Sequence, residues 1–300
     1  MSPARSRAAS TDRVDVRKTY KLYIGGAFPR SESGRSYVVT DAKGRFLANV
    51  AQASRKDGRD GVVAARNAQS AWAGRTAYNR GQVLYRVAEV MEDRREQFVE
   101  QLRAAEGVSQ RKAGTFVDAA VDRWVWYAGW ADKVAQVLGG ANPVAGPFFN
   151  LSVPEPTGVV AVVAPRGALL GLVSVVAPAI ATGNTVVVVA SQAHPLPAIT
   201  LGEVLATSDL PGGVVNILTG SAAEILPWLA SHRDVDALDL TGVDTSADSG
   251  ELARQLEVAA AETLTRVRRP EPGADWLAIP GLDRLSWTLE TMTVWHPIGI

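Results

Sequence analysis

The chain has 300 residues, 47% of them hydrophobic, with 31 basic against 31 acidic side chains and no Cys. That is ample apolar material for one large domain or two ordinary ones, and the balanced charge argues against nucleic acid or a membrane surface as partner. The missing Cys excludes disulfides, thiolate metal sites and any Cys nucleophile.

Taken in order, residues 1–19 are rich in Arg and Ser, lack the apolar core of a secretory signal, and are expected to be a disordered tail. Tyr20–Phe28 is a short β-rich run closed by Gly25-Gly26, which reads as a hairpin. Ser36–Ala51 supplies two more short strands around the turn Asp41–Gly44. The period then changes. Asp57–Trp72 is an amphipathic helix with Val62, Ala65, Ala68 and Trp72 at helical spacing and Ser54 as its cap. Asn79–Glu106 reads as one longer helix ended by Gly107, and Thr115–Gln136 as a third, carrying Trp124, Trp126, Tyr127 and Trp130 as core or interface filler.

Next comes a Pro-flanked extended run, Phe148–Val153, expected as a protruding strand. Gly158–Gln192 follows, and the rest of the chain is organised around it. A β-rich run ends at Ala164, a break falls at Pro165–Gly167, an apolar helix runs to Ile180 and a second strand begins at Thr185. Apolar runs of that size suit central parallel strands joined by a crossover helix. The helical stretch Gly167–Ala181 is too short to span a bilayer. Helix Leu196–Ser208, strand Val214–Leu218, a helix from Gly220 to Leu229, strand Asp236–Leu240 and helix Gly250–Leu264 continue the alternation. The fold class is therefore α/β, a Rossmann-like doubly wound parallel sheet. Arg266–Gly281 is Pro- and Gly-interrupted, and Leu285–His296 reads as one terminal strand with Trp287, Leu289 and Trp295 on one face.

The order LYIGGAF, WYAGWADK, NPVAGPFFN, EPTGVVAVVAP, APAIATGNTVVV, LPGGVVNILTG and HRDVDALDLTG strongly resembles the cofactor-binding half of aldehyde dehydrogenases. The closing ETMTVWHP resembles that family's oligomerisation strand, and SVPEPTGVV and ATSDLPGGVVNILTG look like the non-catalytic second domain of the two-domain family-16 members. The resemblance implies a cofactor-binding domain made of 20–141 and 157–270, oligomerisation strands in 142–156 and 285–300, and a linker, 271–284, where the catalytic domain would stand.

It also implies what the site has lost. The family attacks an aldehyde with a Cys thiolate, passes hydride to NAD(P), and releases acid by way of a Glu-activated water; this sequence has no thiol. The family's PWNF turn reads Pro165-Arg166-Gly167-Ala168, without the Asn that donates to the oxyanion. Its KPSE reads Val189-Ala190-Ser191-Gln192, without the Lys and Glu that hold the adenosine ribose. Its GSTEVG turn becomes Gly242-Val243-Asp244-Thr245-Ser246, where Asp244 and Asp248 would repel a diphosphate. Glu271, nearest in order to the general base, lies one place off between prolines. Pro165, Arg166, Ser191, Gln192, Gly220 and Gly242 are thus degenerate remnants of a cofactor site, and no NAD is expected to be required.

His194, His232 and His296 are too scattered for a metal site. The resemblance implies a non-catalytic, cytoplasmic subunit that pairs with a competent, Cys-bearing aldehyde dehydrogenase through Phe148, Phe149, Leu151, Val153, Trp287, Leu289, Val294 and Trp295. The alternatives are a nucleotide sensor, or an enzyme of other chemistry around Arg166, Ser191 and Asp244.

Overall fold

A computed structural model describes residues 18–243 and 250–298 in full, with the backbone of 247–249. The expected tail, apart from Lys18 and Thr19, and the residues Asp244–Ser246 lie outside the described residues. Lys18 already pairs with Glu203 at 2.5 Å, and Thr19 opens the first strand, so structure begins earlier than expected.

Strands Thr19–Tyr20 (β1), Ser36–Thr40 (β2) and Phe46–Ala51 (β3) form a small sheet ordered β1-β3-β2. The Gly25-Gly26 turn is present, with Ile24 and Ala27 exchanging backbone hydrogen bonds at 3.0 Å. A Cβ on Gly26 would stand 2.9 Å from Gly212 Cα, so the Gly25-Gly26 and Gly212-Gly213 turns touch backbone to backbone. Helix Arg55–Ala73 (α1) begins at Ser54, whose Oγ accepts from Asp57 N while the Asp57 carboxylate accepts from Ser54 N at 2.7 Å, a complete capping box.

The single helix expected over 79–106 is two, Ala77–Asp93 (α2) and Arg95–Glu106 (α3), broken at Arg94 (φ −98°, ψ 14°). No Gly or Pro marks the break. The Arg94 guanidinium instead reaches Glu203 at 3.2 Å, a tertiary contact that helical periodicity does not register. The third helix, Gln110–Trp130 (α4), starts a turn earlier than expected on the Ser109 cap, and Val134–Leu138 (α5) is a separate short helix.

Strands Gly140–Ala141 (β4) and Phe148–Pro156 (β5) leave the body, and Val159–Val163 (β6), helix Leu170–Ala181 (α6) and Thr185–Val189 (β7) make the expected central unit. Helix Leu196–Ala206 (α7), strand Val215–Leu218 (β8), helix Ala222–Ala230 (α8), strand Ala237–Asp239 (β9), helix Ala247–Ala261 (α9) and strand Arg266–Arg268 (β10) follow. The parallel sheet runs β10-β9-β6-β7-β8, so the chain order reverses between β6 and β9. Its two faces carry separate cores. Val160, Val162, Val186 and Val188 pack with α2, α4, α6 and α7, whereas Val159, Ala161, Val187 and Val189 pack with α1, α8 and α9. The doubly wound expectation holds, and β10 is an extra edge strand inside a segment read as irregular.

The terminal segment differs from its expectation. Residues Asp283–Trp287 form a short helix (α10), and the strand is Leu289–Pro297 (β11), antiparallel to β5 in a sheet ordered β11-β5-β4. Trp287 is therefore not on the strand. It and Leu289 pack against the main core beside the fully buried Leu285, which removes both from an exposed interface. Alternation alone cannot tell a helical turn entering a strand from the strand itself.

A candidate cleft at the carboxyl ends of the strands

The parallel strands end together at a cleft of about 640 Å³, placed where the strand order reverses. Open α/β sheets bind ligands at such switch points. Pro165, Arg166, Ser191, Gln192 and Gly242 all line it, brought together from the ends of β6, β7 and β9. Gly220 does not. It is buried at φ 128° under the turn before α1, where a Cβ would lie 3.2 Å from Ala53 N, while its neighbours Ser221 and Ala222 reach the cleft.

Local sequence explains the walls. Pro165 ends β6, and the exposed loop of Arg166 and Gly167 leads to Ala168, whose N–H donates to Glu106 at 2.8 Å. The Ser191 hydroxyl donates to the Arg166 carbonyl at 3.4 Å, which ties the two loops together. A Cβ on Gly242 would fall 2.2 Å from the Ala164 carbonyl oxygen, so only Gly allows the loop after β9 to close on the end of β6.

The far wall comes from residues 271–284, which do not behave as a bare linker. Trp276 lines the cleft beside Gly171, with the Arg284 guanidinium 4.9 Å from its ring. Arg284 also pairs with Glu271 at 2.6 Å and approaches the buried Asp239 at 3.6 Å, and Arg268 reaches Glu271 and Asp283 at 3.3 and 3.1 Å. Burial raises the Asp239 carboxyl above its ordinary value, against the pull of Arg284. Arg123 of α4, also buried, donates to the Trp276 and Ala278 carbonyls at 2.5 and 3.1 Å, and desolvation lowers its pKa.

Sequence reasoning missed Trp276, Arg284 and Arg123. The last carried a signal, a lone cation at helical spacing between Ala120 and Tyr127 on an otherwise apolar face.

Among the described residues the cleft brings together no nucleophile and base. Ser191 turns to a carbonyl, Asp244 lies outside the described residues, and among the described residues no His, Asp and Glu group could hold a metal. His232 caps its own turn by accepting from Asp234 N at 3.1 Å. The aromatics of α4 fill the core, Trp124 and Tyr127 being almost completely buried.

The family model described as "Aldehyde dehydrogenase family" matches residues 28–273. Aldehyde dehydrogenase family 2 member B4, mitochondrial, of Arabidopsis thaliana is 34% identical over 77% of this chain and 43% of its own. Cytosolic 10-formyltetrahydrofolate dehydrogenase of Mus musculus is 33% identical over 77% of this chain and 26% of its own. The crystal structure of an aldehyde dehydrogenase from Brucella melitensis biovar abortus superposes with a TM-score of 0.77 at 26% identity, covering 82% of this chain and 50% of that one. The chain thus spans half or less of the length of these relatives.

Proposed function

The chain belongs to the aldehyde dehydrogenase family, and from that premise we propose that it is a non-catalytic subunit which pairs through β5 and β11 with a separate, Cys-bearing aldehyde dehydrogenase and stabilises or positions it. The observation that carries the reading is the pairing of a complete β5–β11 arm with a cleft that has no thiol: the sequence holds no Cys. Two further features support it. Gly167 offers no side-chain donor to an oxyanion. Glu271 is held in ion pairs with Arg284 and Arg268 at 2.6 and 3.3 Å.

Nicotinamide dinucleotide, which the family implies, does not fit the residues present. The end of β7 offers the buried, apolar Val189 and Ala190 where ribose anchors would be needed, and Trp276 stands in the cleft beside Gly171. We therefore derive no hydride step. No described helix is long and apolar enough to cross a membrane, and a cytoplasmic place of action is part of the same reading.

Native mass spectrometry of assemblies captured on this chain in its source cell tests the proposal. The expected result is a stable complex with a longer, Cys-containing aldehyde dehydrogenase, lost when residues 289–298 are removed. Aldehyde turnover by the pure chain, free of contaminating dehydrogenase, would overturn it. One second reading, a nucleotide sensor, rests on the cleft volume of about 640 Å³ alone and runs against that lining; calorimetry without heat at millimolar NAD or NADP would remove it.

A further inference from the structure

Beside Trp276 lies a second, smaller cavity of about 130 Å³. Its floor is Arg123 and Tyr127 of α4 with Ser174 of α6, and its roof is the turn that carries Trp276. The three floor residues are 7%, 1% and 1% exposed. Arg123 uses only Nη2 on the protein, for the two carbonyls of that turn. Its Nε and Nη1 meet no acceptor among the described residues, nor does the Tyr127 hydroxyl, and both side chains open onto the cavity they line. The Ser174 hydroxyl already donates to the Leu170 carbonyl at 2.8 Å. Buried donors in folded proteins almost always have an acceptor, and one without costs stability. Here the protein supplies none.

The field over this floor is positive. Arg123 is desolvated and lies near the Arg284 guanidinium, with no carboxylate among the charges that act on it. The Tyr127 hydroxyl is within reach of Arg123, Arg284 and Arg268 against one carboxylate, Asp283. Glu271, Asp275 and Asp283 also line the cavity, but each is engaged: Glu271 by Arg284 and Arg268, Asp283 by Arg268, and Asp275 by the Leu277 N–H at 3.0 Å. One buried cation short of a counter-charge calls for one negative charge that also offers acceptor oxygens. A phosphate group, at about −1.5 to −2 near pH 7, would turn its surplus charge on those three acids. The volume is roughly four times that of a water in the liquid, room for a ligand of about four non-hydrogen atoms. Ala274, Ala278 and Pro280 complete the lining and suit a short alkyl group.

We propose that this cavity binds a short-chain monocarboxylate of the size of acetate, whose oxygens accept from the free N–H groups of Arg123 and from the Tyr127 hydroxyl. The site is distinct from the larger cleft, which Arg123, Tyr127 and Ser174 do not line; Trp276 borders both. Binding fastens the 276–278 turn to α4, because the guanidinium that takes the carboxylate also holds that turn through its two carbonyls. The ligand therefore steadies the Trp276 wall of the cleft from behind. The assignment rests on this chain alone and is independent of any catalytic partner.

Calorimetric titration of the purified chain with sodium acetate, against sodium chloride at equal ionic strength, tests the site. One saturable event in the roughly millimolar range is expected for acetate, since so few atoms limit affinity, with none for chloride and a weaker response to inorganic phosphate. Tyr127→Phe deletes a hydroxyl that no protein group uses, so it should keep the fold and weaken acetate binding by about tenfold. Arg123→Met should abolish binding, but it also frees the turn, so Tyr127→Phe is the deciding variant; circular dichroism verifies its fold. Hydrogen exchange on the parent chain locates the ligand without any substitution. Acetate should slow exchange in residues 275–280 and leave the cleft loops 165–167 and 190–193 unchanged. Heat that does not saturate, an equal response to chloride, tighter binding of phosphate, unchanged affinity in folded Tyr127→Phe, or protection confined to the cleft loops would each overturn the proposal.

Discussion

The parallel sheet and the arm are built from strands of different composition, VVAVV and TVVVV against LETMTVWHP, and they are stabilised differently. Every residue of β6 and β7 is buried, because helices cover both faces. In β11 none of the nine residues is fully buried, and Trp295 is 58% exposed. The sheet is held by area withdrawn from water, the arm by a ladder of backbone hydrogen bonds with its root in the body, where Arg266 also donates to the Leu289 carbonyl at 2.8 Å. That root is Thr288, buried, with its hydroxyl 3.0 Å from Thr182 and its carbonyl accepting from Asn184 at 2.9 Å. A region so closed can only lend its rims to function, whereas one so open still has a surface to offer.

If that contrast is right, damage to the body should cost folding and damage to the arm should not. The largest effect is expected at Trp72, which is 1% exposed and donates its indole N–H to the Ile180 carbonyl at 2.9 Å. Trp72→Ala should cost about 3–5 kcal/mol, through lost burial, a cavity and an orphaned carbonyl. The urea midpoint of the purified variant measures it. Next comes Arg123→Met, which keeps much of the volume but strips two donors from the 276–278 turn. A loss of about 1–3 kcal/mol is expected, together with faster amide exchange in residues 275–280 and a changed Trp276 emission. An unchanged exchange pattern would mean that the cleft wall holds without α4.

The contrast also decides what the sequence could reveal. Val159–Val163 and Thr185–Val189 are legible because burial on both faces leaves a continuous apolar run, and the Ser54 cap because its chemistry is local. The break at Arg94 and the turn of α10 were not legible, since each is set by a partner far along the chain: Glu203 for the first, the core around Leu285 for the second. At the cleft the loop residues could be placed through the family resemblance. Its far wall could not, because Trp276, Arg284 and Arg123 meet only in three dimensions.

A smaller effect than either variant above is expected at Asp239, between the body and its closing segment. Burial raises its carboxyl in the folded chain, so between its unfolded and folded values the native state holds a proton that the unfolded chain has released. The stability it contributes is full below the ordinary Asp value and is lost as pH rises through the raised folded value. Asp239 therefore pulls the urea midpoint of the parent chain down as pH rises across the acidic range, against the opposite contribution of carboxylates held low by partners, such as Asp41. That pull should be weaker in Asp239→Asn, which keeps an acceptor for Thr241 N, 2.8 Å from the native carboxylate. Parallel curves would show that Arg284 neutralises the carboxylate in the fold.

The smallest effect on stability is expected at the tip of the arm. Trp295 touches Phe148 edge-on, with ring centroids 5.9 Å apart, but both rings are largely in solvent. Trp295→Ser removes that contact without changing a backbone hydrogen bond to β5, so the urea midpoint should move by no more than about 0.5 kcal/mol, the usual range for surface positions. Association is another matter, because a ring half in water is free to be buried by whatever lies alongside β11, and burying it fully is worth about 1.5–3 kcal/mol. The variant should fold like the parent and assemble more weakly, a split that sedimentation and denaturation measured on the same sample would show. Should stability and assembly fall together, the arm would be part of the folded body after all, and the contrast between the two regions would reduce to a difference in exposure.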